Sequence, residues 1–304
     1  MNRMRIWTVA LLGLLVTACG AAGTGGSGGG EIVVTTNILG DVVRNVVGET
    51  ATVRVLMQPN ADPHSFGVSA QDAAAMSSAG LIVHNGLGLE ENITRNVESA
   101  ASQGVPTLAV GDHVDPIDYA EGDSAGTPDP HFWTDPQRMI AAVDIIEEAI
   151  VAEVDGIDTA AVSRNADEYR RQLGELDAEM TQGFGTIARD RRKLVTNHHV
   201  LGYLAQRFDF AVIGAVVPSG TTLAAPSASD LQSLVGAIVS ARVPAIFVDS
   251  SQPEKLARVL AEQAGVNVQI VPLYSESLSP PGTSGATYLG MMRANTGAIV
   301  TGLR

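Results

Sequence analysis

Residues 160–187, AAVSRNADEYRRQLGELDAEMTQGFGTI, decide how this chain is built. Val162, Ala166, Tyr169, Leu173, Leu176, Met180, Phe184 and Ile187 recur every three or four positions and form one apolar stripe. Arg164, Asp167, Glu168, Arg170, Arg171, Glu175, Asp177 and Glu179 fill the other faces. The spacing predicts one helix of about 28 residues, a rod of roughly 40 Å at about 1.5 Å per residue. A rod of that length runs across two lobes instead of covering one.

On both sides of it, short continuous apolar runs alternate with helical patterns. Before it, strands are expected at residues 32–36, 52–57, 81–83 and 107–110, with helices at 38–47, 69–79, 90–100 and from about 137. After it, strands are expected at 193–196, 210–217, 245–248 and 266–273, with helices at 200–208, 227–241, 253–264 and 285–303. Unbroken apolar strands separated by helices imply parallel sheets covered on both faces. The fold class read from this pattern is α/β. Two parallel-sheet lobes, residues 31–159 and 189–304, are bridged by one long rigid helix, residues 160–188. A cleft between two such lobes is a favoured place for a binding site.

The first thirty residues have a different composition. Arg3 and Arg5 precede an apolar run from Ile6 to Val16, too short for a comfortable membrane span and laid out like a secretory signal peptide over residues 1–18. Val16-Thr17-Ala18-Cys19 resembles a bacterial lipobox, which makes Cys19 the expected lipidation site. Cys19 is the single cysteine of the chain, so no intrachain disulfide forms. Residues 19–30, nearly all Gly, Ala, Ser and Thr, read as a flexible lipid-anchored linker. The expected location is the outer face of the cytoplasmic membrane, in a periplasm or at a cell surface, with the body of the protein in water.

The 304 residues are 45% hydrophobic, enough for one large or two medium domains. The formal charge is −14; without Arg3 and Arg5, 17 basic side chains face 33 acidic ones, a net of −16. That balance excludes nucleic acid as a partner, because nucleic-acid binding needs a basic footprint.

Two Asp-Pro-His triplets stand out in a chain with six histidines: Asp62-Pro63-His64 and Asp129-Pro130-His131. Each lies in a turn-rich loop after a strand, the place where open α/β sheets bind ligands. Neutral imidazole is a common metal ligand and a carboxylate two residues away, Asp62 or Asp129, suits the role of its orienting partner. The second lobe adds Thr196-Asn197-His198-His199 after its first strand and Leu273-Tyr274-Ser275-Glu276 after its last. Adjacent histidines opening a helix do not both face one point, so one of His198 and His199 ligates and the other packs or hydrogen-bonds. Three imidazoles and the Glu276 carboxylate form a four-donor set for a borderline divalent ion, assembled only by folding. His84 and His113 read as a rim residue and a solvated residue, Asp249 as a turn cap, and Trp133 as a shield packed beside the site.

In combination these segments resemble the zinc/manganese-binding solute-binding proteins of bacterial metal ABC importers. The resemblance rests on residues 58–66 (QPNADPHSF), 85–90 (NGLGLE), 130–136 (PHFWTDP), 196–203 (TNHHVLGY), 226–228 (PSA), 273–278 (LYSESL) and 288–295 (YLGMMRAN), and so spans nearly the whole mature chain. It implies two α/β lobes joined by a rigid helix, with one metal buried in the cleft and ligands at His64, His131, His198 and Glu276. His198 is chosen over His199 because the family's ligand directly follows Thr-Asn. Asp62, Asp129 and His199 remain as supporting or alternate groups. Two departures are visible: Glu276 stands where aspartate is usual, and Thr221-Thr222-Leu223-Ala224-Ala225-Pro226 lacks the glutamates common there.

The implied activity is capture of one divalent metal ion outside the cell and its delivery to a metal ABC permease by a monomeric lipoprotein. Zinc is favoured by three imidazoles, since manganese prefers oxygen-rich shells, with manganese or iron as alternatives. The rival readings are a zinc-dependent hydrolase and a surface adhesin. A hydrolase needs an open coordination position and a nearby general base, and the chain has no His-Glu-x-x-His. The protein is therefore expected not to be an enzyme. Metal affinity is expected to fall as pH drops through about 6.5, the ordinary histidine value.

Overall fold

The computed structural model describes residues 30–265 and 268–304. The leader, Cys19, all of the linker but Gly30, and the first two residues of the strand expected at 266–273 lie outside the described residues. Strands β1 (Ile32–Val34), β2 (Val53–Val55), β3 (Leu81–His84) and β4 (Thr107–Ala109) form a parallel sheet in the order β2-β1-β3-β4. Strands β5 (Lys193–Thr196), β6 (Ala211–Ala215), β7 (Ala245–Asp249) and β8 (Gln269–Leu273) form a second, also parallel, in the order β6-β5-β7-β8. The two lobes thus repeat one topology.

Helices α1 (Asn37–Val47), α2 (Ala70–Ser77), α3 (Thr94–Ser102) and α4 (Pro136–Glu153) belong to the first half, and α5 (Thr159–Gly185) is the bridge. Helices α6 (Gly202–Phe208), α7 (Ala228–Ala241), α8 (Lys255–Ala264) and α9 (Tyr288–Leu303) complete the second. Starts are marked by side-chain caps: Ser69 and Ser227 form capping boxes with Asp72 and Asp230, and Asp158 accepts from the Ala161 amide at 3.0 Å. Of the starts that fall later than the sequence pattern suggests, two shift by more than two residues. Helix α3 begins at Thr94 instead of near residue 90 because the Glu90 side chain is drawn inward, accepting from the Asn85 and Gly86 amides. Helix α9 begins at Tyr288, capped by Thr287, after a turn that contains Pro280 and Pro281.

The period-two alternation of the strands sorts their side chains between cores. In β1, Ile32 and Val34 point toward α1 and α5, whereas Val33 packs with Met76 and Val97 on the opposite face. On the far side of the second sheet, Ile246 and Val248 pack with Leu234, Ile238 and Leu260. The stripe of α5 is buried throughout, and its core is continuous from Val34 and Val83 in the first sheet to Leu194 and Phe247 in the second. The lobes therefore share one apolar mass instead of meeting across a hinge. Leu176→Ala, at a fully buried position of α5, is expected to cost about 2–5 kcal/mol. Thermal unfolding should remain one transition followed by near- and far-ultraviolet dichroism together; separate melting of two lobes would contradict the shared core.

Candidate metal centre

Every sequence-predicted donor emerges from a loop at the C-terminal end of a strand: His64 after β2, His131 after β4, His198 after β5 and Glu276 after β8. The two topologically equivalent lobes face these loops toward each other. The fold brings the four side chains together, one donor atom from each lying within 4.8 Å of all the others. His131 Nε2 is 3.4 Å from His64 Nε2, and Glu276 Oε1 is 3.0 Å from His198 Nε2 and 3.7 Å from His131 Nε2. Glu276 Oε2 is 3.8 Å from His64 Nε2. A point about 2.0–2.1 Å from four tetrahedral donors requires donors about 3.3 Å apart. The observed spacings bracket that value.

Both Asp-Pro-His triplets are turns, and the turn is how each histidine is presented. Asp62 Oδ1 accepts from the His64 amide and Asp129 Oδ1 from the His131 amide, each at 2.9 Å. Asp129 does more: the same oxygen takes His131 Nδ1 at 2.7 Å, which leaves Nε2 as the free lone pair aimed at the cluster. Asp62 does not reach the His64 ring; its second oxygen turns to Thr222 and Gln252 in the other lobe. His199 stays outside the cluster, with its ring 6.4 Å from that of Tyr119.

Two residues that the sequence reading underrated, Asp249 and Tyr119, organise the site together with Trp133. Asp249, at the end of β7, caps the following turn through the Ser251 amide (2.8 Å), as expected, but also accepts from the Ser275 hydroxyl (2.7 Å) and the Glu276 amide (3.1 Å). It thereby fixes the backbone that carries Glu276. Trp133 packs against His131, ring centres 5.1 Å apart, and donates its indole N–H to the Ser275 carbonyl at 2.9 Å. Tyr119 is buried behind His131, its hydroxyl 3.2 Å from Nδ1 and donating to the Gly220 carbonyl at 3.2 Å. The acidic segment around it, residues 112–127, is tied to the second lobe: the Asp123 amide donates to Pro218 O and the Gly220 amide to the Ser124 hydroxyl. The only sequence signals were a carboxylate closing a buried strand and a lone tyrosine among acids.

Burial distinguishes this cluster from surface acids. Glu276 is 1% exposed, and neither carboxylate oxygen has a hydrogen-bond donor; the 3.0 Å approach of His198 Nε2 lacks hydrogen-bond geometry. His198 Nε2, which faces the same point, is also buried without a partner. Unpartnered lone pairs converging on one point in a dry interior are costly unless a cation sits among them.

A model of the family described as "Zinc-uptake complex component A periplasmic" matches residues 32–302. The chain belongs to this family. It is 30% identical over 311 residues to the zinc-binding protein TroA of Treponema pallidum, covering all of this chain and 99% of that one. The manganese-binding lipoprotein MntA of Halalkalibacterium halodurans is 27% identical, covering 98% and 97%. The iron-binding protein YfeA of Yersinia pestis is 26% identical, covering 90% and 86%. The solved structure of the Treponema pallidum periplasmic zinc-binding protein superposes with a TM-score of 0.81 over 90% of this chain and 99% of its own. The zinc-uptake component A family is one of substrate-binding transport proteins, and the Treponema pallidum structure shares its two-lobe α/β architecture with this chain.

The electrostatics of this zinc-uptake component A site correct one sequence expectation. Burial drives the His64 pKa down to about 2, helped by the neighbouring His131 and His198 rings. Burial likewise lowers His198 to about 4, against the pull of Asp249, Asp62 and Asp129. These imidazoles are already neutral at pH 6.5, so they do not set an affinity break there. Burial raises Glu276 to about 8, with Asp249, Asp62 and Asp129 adding to the rise and His131 opposing it. The proton that competes with a metal ion is the carboxyl proton.

Proposed function

We propose that this protein captures one divalent metal ion between His64, His131, His198 and Glu276 outside the cytoplasmic membrane and hands it to the permease of a metal ABC importer. The observation that carries the reading is the fully buried Glu276 carboxylate, without a hydrogen-bond donor on either oxygen and faced by three imidazole nitrogens. Both oxygens look inward, Oε1 toward His131 and His198 and Oε2 toward His64. The longer glutamate therefore supplies one or two oxygens beside three nitrogens. Three imidazoles favour zinc, and a two-oxygen grip leaves room for manganese or iron. Asp129 orients His131, while Asp249 and Trp133 present the Glu276 loop.

A closed donor set, each member at most 1% exposed, suits capture and release better than turnover, which needs an open position for water. Among the described residues, no helix is long and apolar enough to cross a membrane. Attachment would come from Cys19 through lipid, leaving the lobes in water as a monomer beside the permease.

Metal analysis of protein purified without residues 1–18 and without added metal tests the reading. One zinc per chain is expected, lost in His64→Ala. Asp129→Asn should retain the fold but weaken zinc by about 10–100-fold, because His131 loses the acceptor that sets its tautomer. A wild-type chain that neither carries metal nor competes with a chromophoric chelator would remove the proposal.

A further inference from the structure

His64 is held differently from the other donors. His131 Nδ1 rests on Asp129, Asn197 Nδ2 lies 3.2 Å from His198 Nδ1, and the Glu276 amide is bonded to Asp249. His64 Nδ1 is buried with no hydrogen-bond partner, so no group behind the ring anchors it and its backing comes from the turn that bears it. That turn reaches across the cleft. Asp62 Oδ1 holds the His64 amide, while Asp62 Oδ2 accepts from Ser65 Oγ within the turn at 3.1 Å and, from the second lobe, from Thr222 Oγ1 at 2.6 Å and Gln252 Nε2 at 3.4 Å. A further tie runs from the Asn60 amide to Leu278 O at 2.9 Å. Because all four donors are at most 1% exposed and the lobes share a core through α5, an ion enters or leaves only when a local segment moves.

Resting on the metal site proposed above, we infer that Thr222 and Gln252 are positioning residues: through Asp62 they latch the His64 turn across the cleft. Undoing that latch is the opening step of capture and release. A hydrogen bond to a carboxylate is stronger than a neutral one, and the Thr222 bond is the shorter of the two. The latch touches no donor atom. Its loss makes opening easier without altering the coordination, so release and capture quicken together and Kd stays put.

The test compares Thr222→Val, which keeps the shape and removes the hydroxyl, with Thr222→Ser, which keeps the hydroxyl. Zinc release from the loaded full chain is timed by mixing with excess chromophoric chelator, and capture by the fluorescence of Trp133 beside His131. Thr222→Val is expected to release and capture zinc roughly tenfold faster with Kd within about twofold of wild type, and Thr222→Ser to behave as wild type. Gln252→Ala should shift both rates in the same direction, which keeps the inference testable should Thr222→Val fold poorly. Wild-type rates in Thr222→Val, or a raised Kd with slower capture, would overturn the latch while leaving the metal site standing. A wild-type chain without zinc would overturn the site itself.

Discussion

Glu276→Gln is expected to stabilise the metal-free protein at pH 8 and to abolish most of its stabilisation by zinc. Glu276 is fully buried, and its folded-state pKa is raised to about 8 from the usual 4.5. Between those values the folded chain holds a proton that the unfolded chain has lost. Stability of the metal-free protein therefore falls as pH rises through that window, and the penalty is complete above about 8. Glutamine resembles the protonated acid and carries no such penalty, although its amide is left equally unpartnered. Because the amide and the protonated acid are equally unpartnered, about 1.36 kcal/mol per pKa unit leaves a gain of roughly 4 kcal/mol at pH 8 and none near pH 4.5.

Zinc reverses the order. Removing the one carboxylate among three imidazoles should lower affinity by about 10²–10⁴-fold, the effect of breaking a buried charge pair. Thermal melts of wild type and Glu276→Gln at pH 5 and pH 8, with and without zinc, check both signs. A variant less stable than wild type at pH 8 without metal, yet equally stabilised by zinc, would show that Glu276 is a structural carboxylate.

Zinc affinity should rise about tenfold per pH unit up to pH 8 and then level off. At pH 6–7 the metal displaces the proton of Glu276, because His64, near 2, and His198, near 4, have none to give. From pH 8 down to pH 6 the loss is roughly a hundredfold. An affinity governed by ordinary imidazoles would instead be flat above about 6.5 and fall steeply below it. Calorimetry in two buffers of different ionisation heat reads the proton directly. Release of no proton at pH 7 would contradict the reading of Glu276 as the protonated partner.

The lobes and the bridging helix were legible because their signals are local. The stripe from Val162 to Phe184 is a period of 3.6 written in seven residues, and burial follows it without exception. Strands such as Leu81–His84 are short apolar runs that need no partner to be recognised. The donors were legible in part for the same reason, as each Asp-Pro-His is a turn that can be read in three residues. Asp249 and Tyr119 were not, because their meaning lies in groups far along the chain: Asp249 meets Glu276 and Tyr119 meets Gly220 only after folding. Asp62 is the sharpest case. Beside His64 in sequence it looked like a partner for that imidazole, but its free oxygen is spent on Thr222, 160 positions away.

By itself, then, the sequence determined the alternation of strands and helices, the long bridge and the residue types able to bind a metal, since periodicity, turn chemistry and donor chemistry act over a few residues. Tertiary structure alone decided which carboxylates support the cluster. It also moved the titrating group from histidine to Glu276. The reason is physical: desolvation and convergence of charges depend on what surrounds a group in three dimensions, and a burial that lowers an imidazole raises a carboxyl in the same cavity.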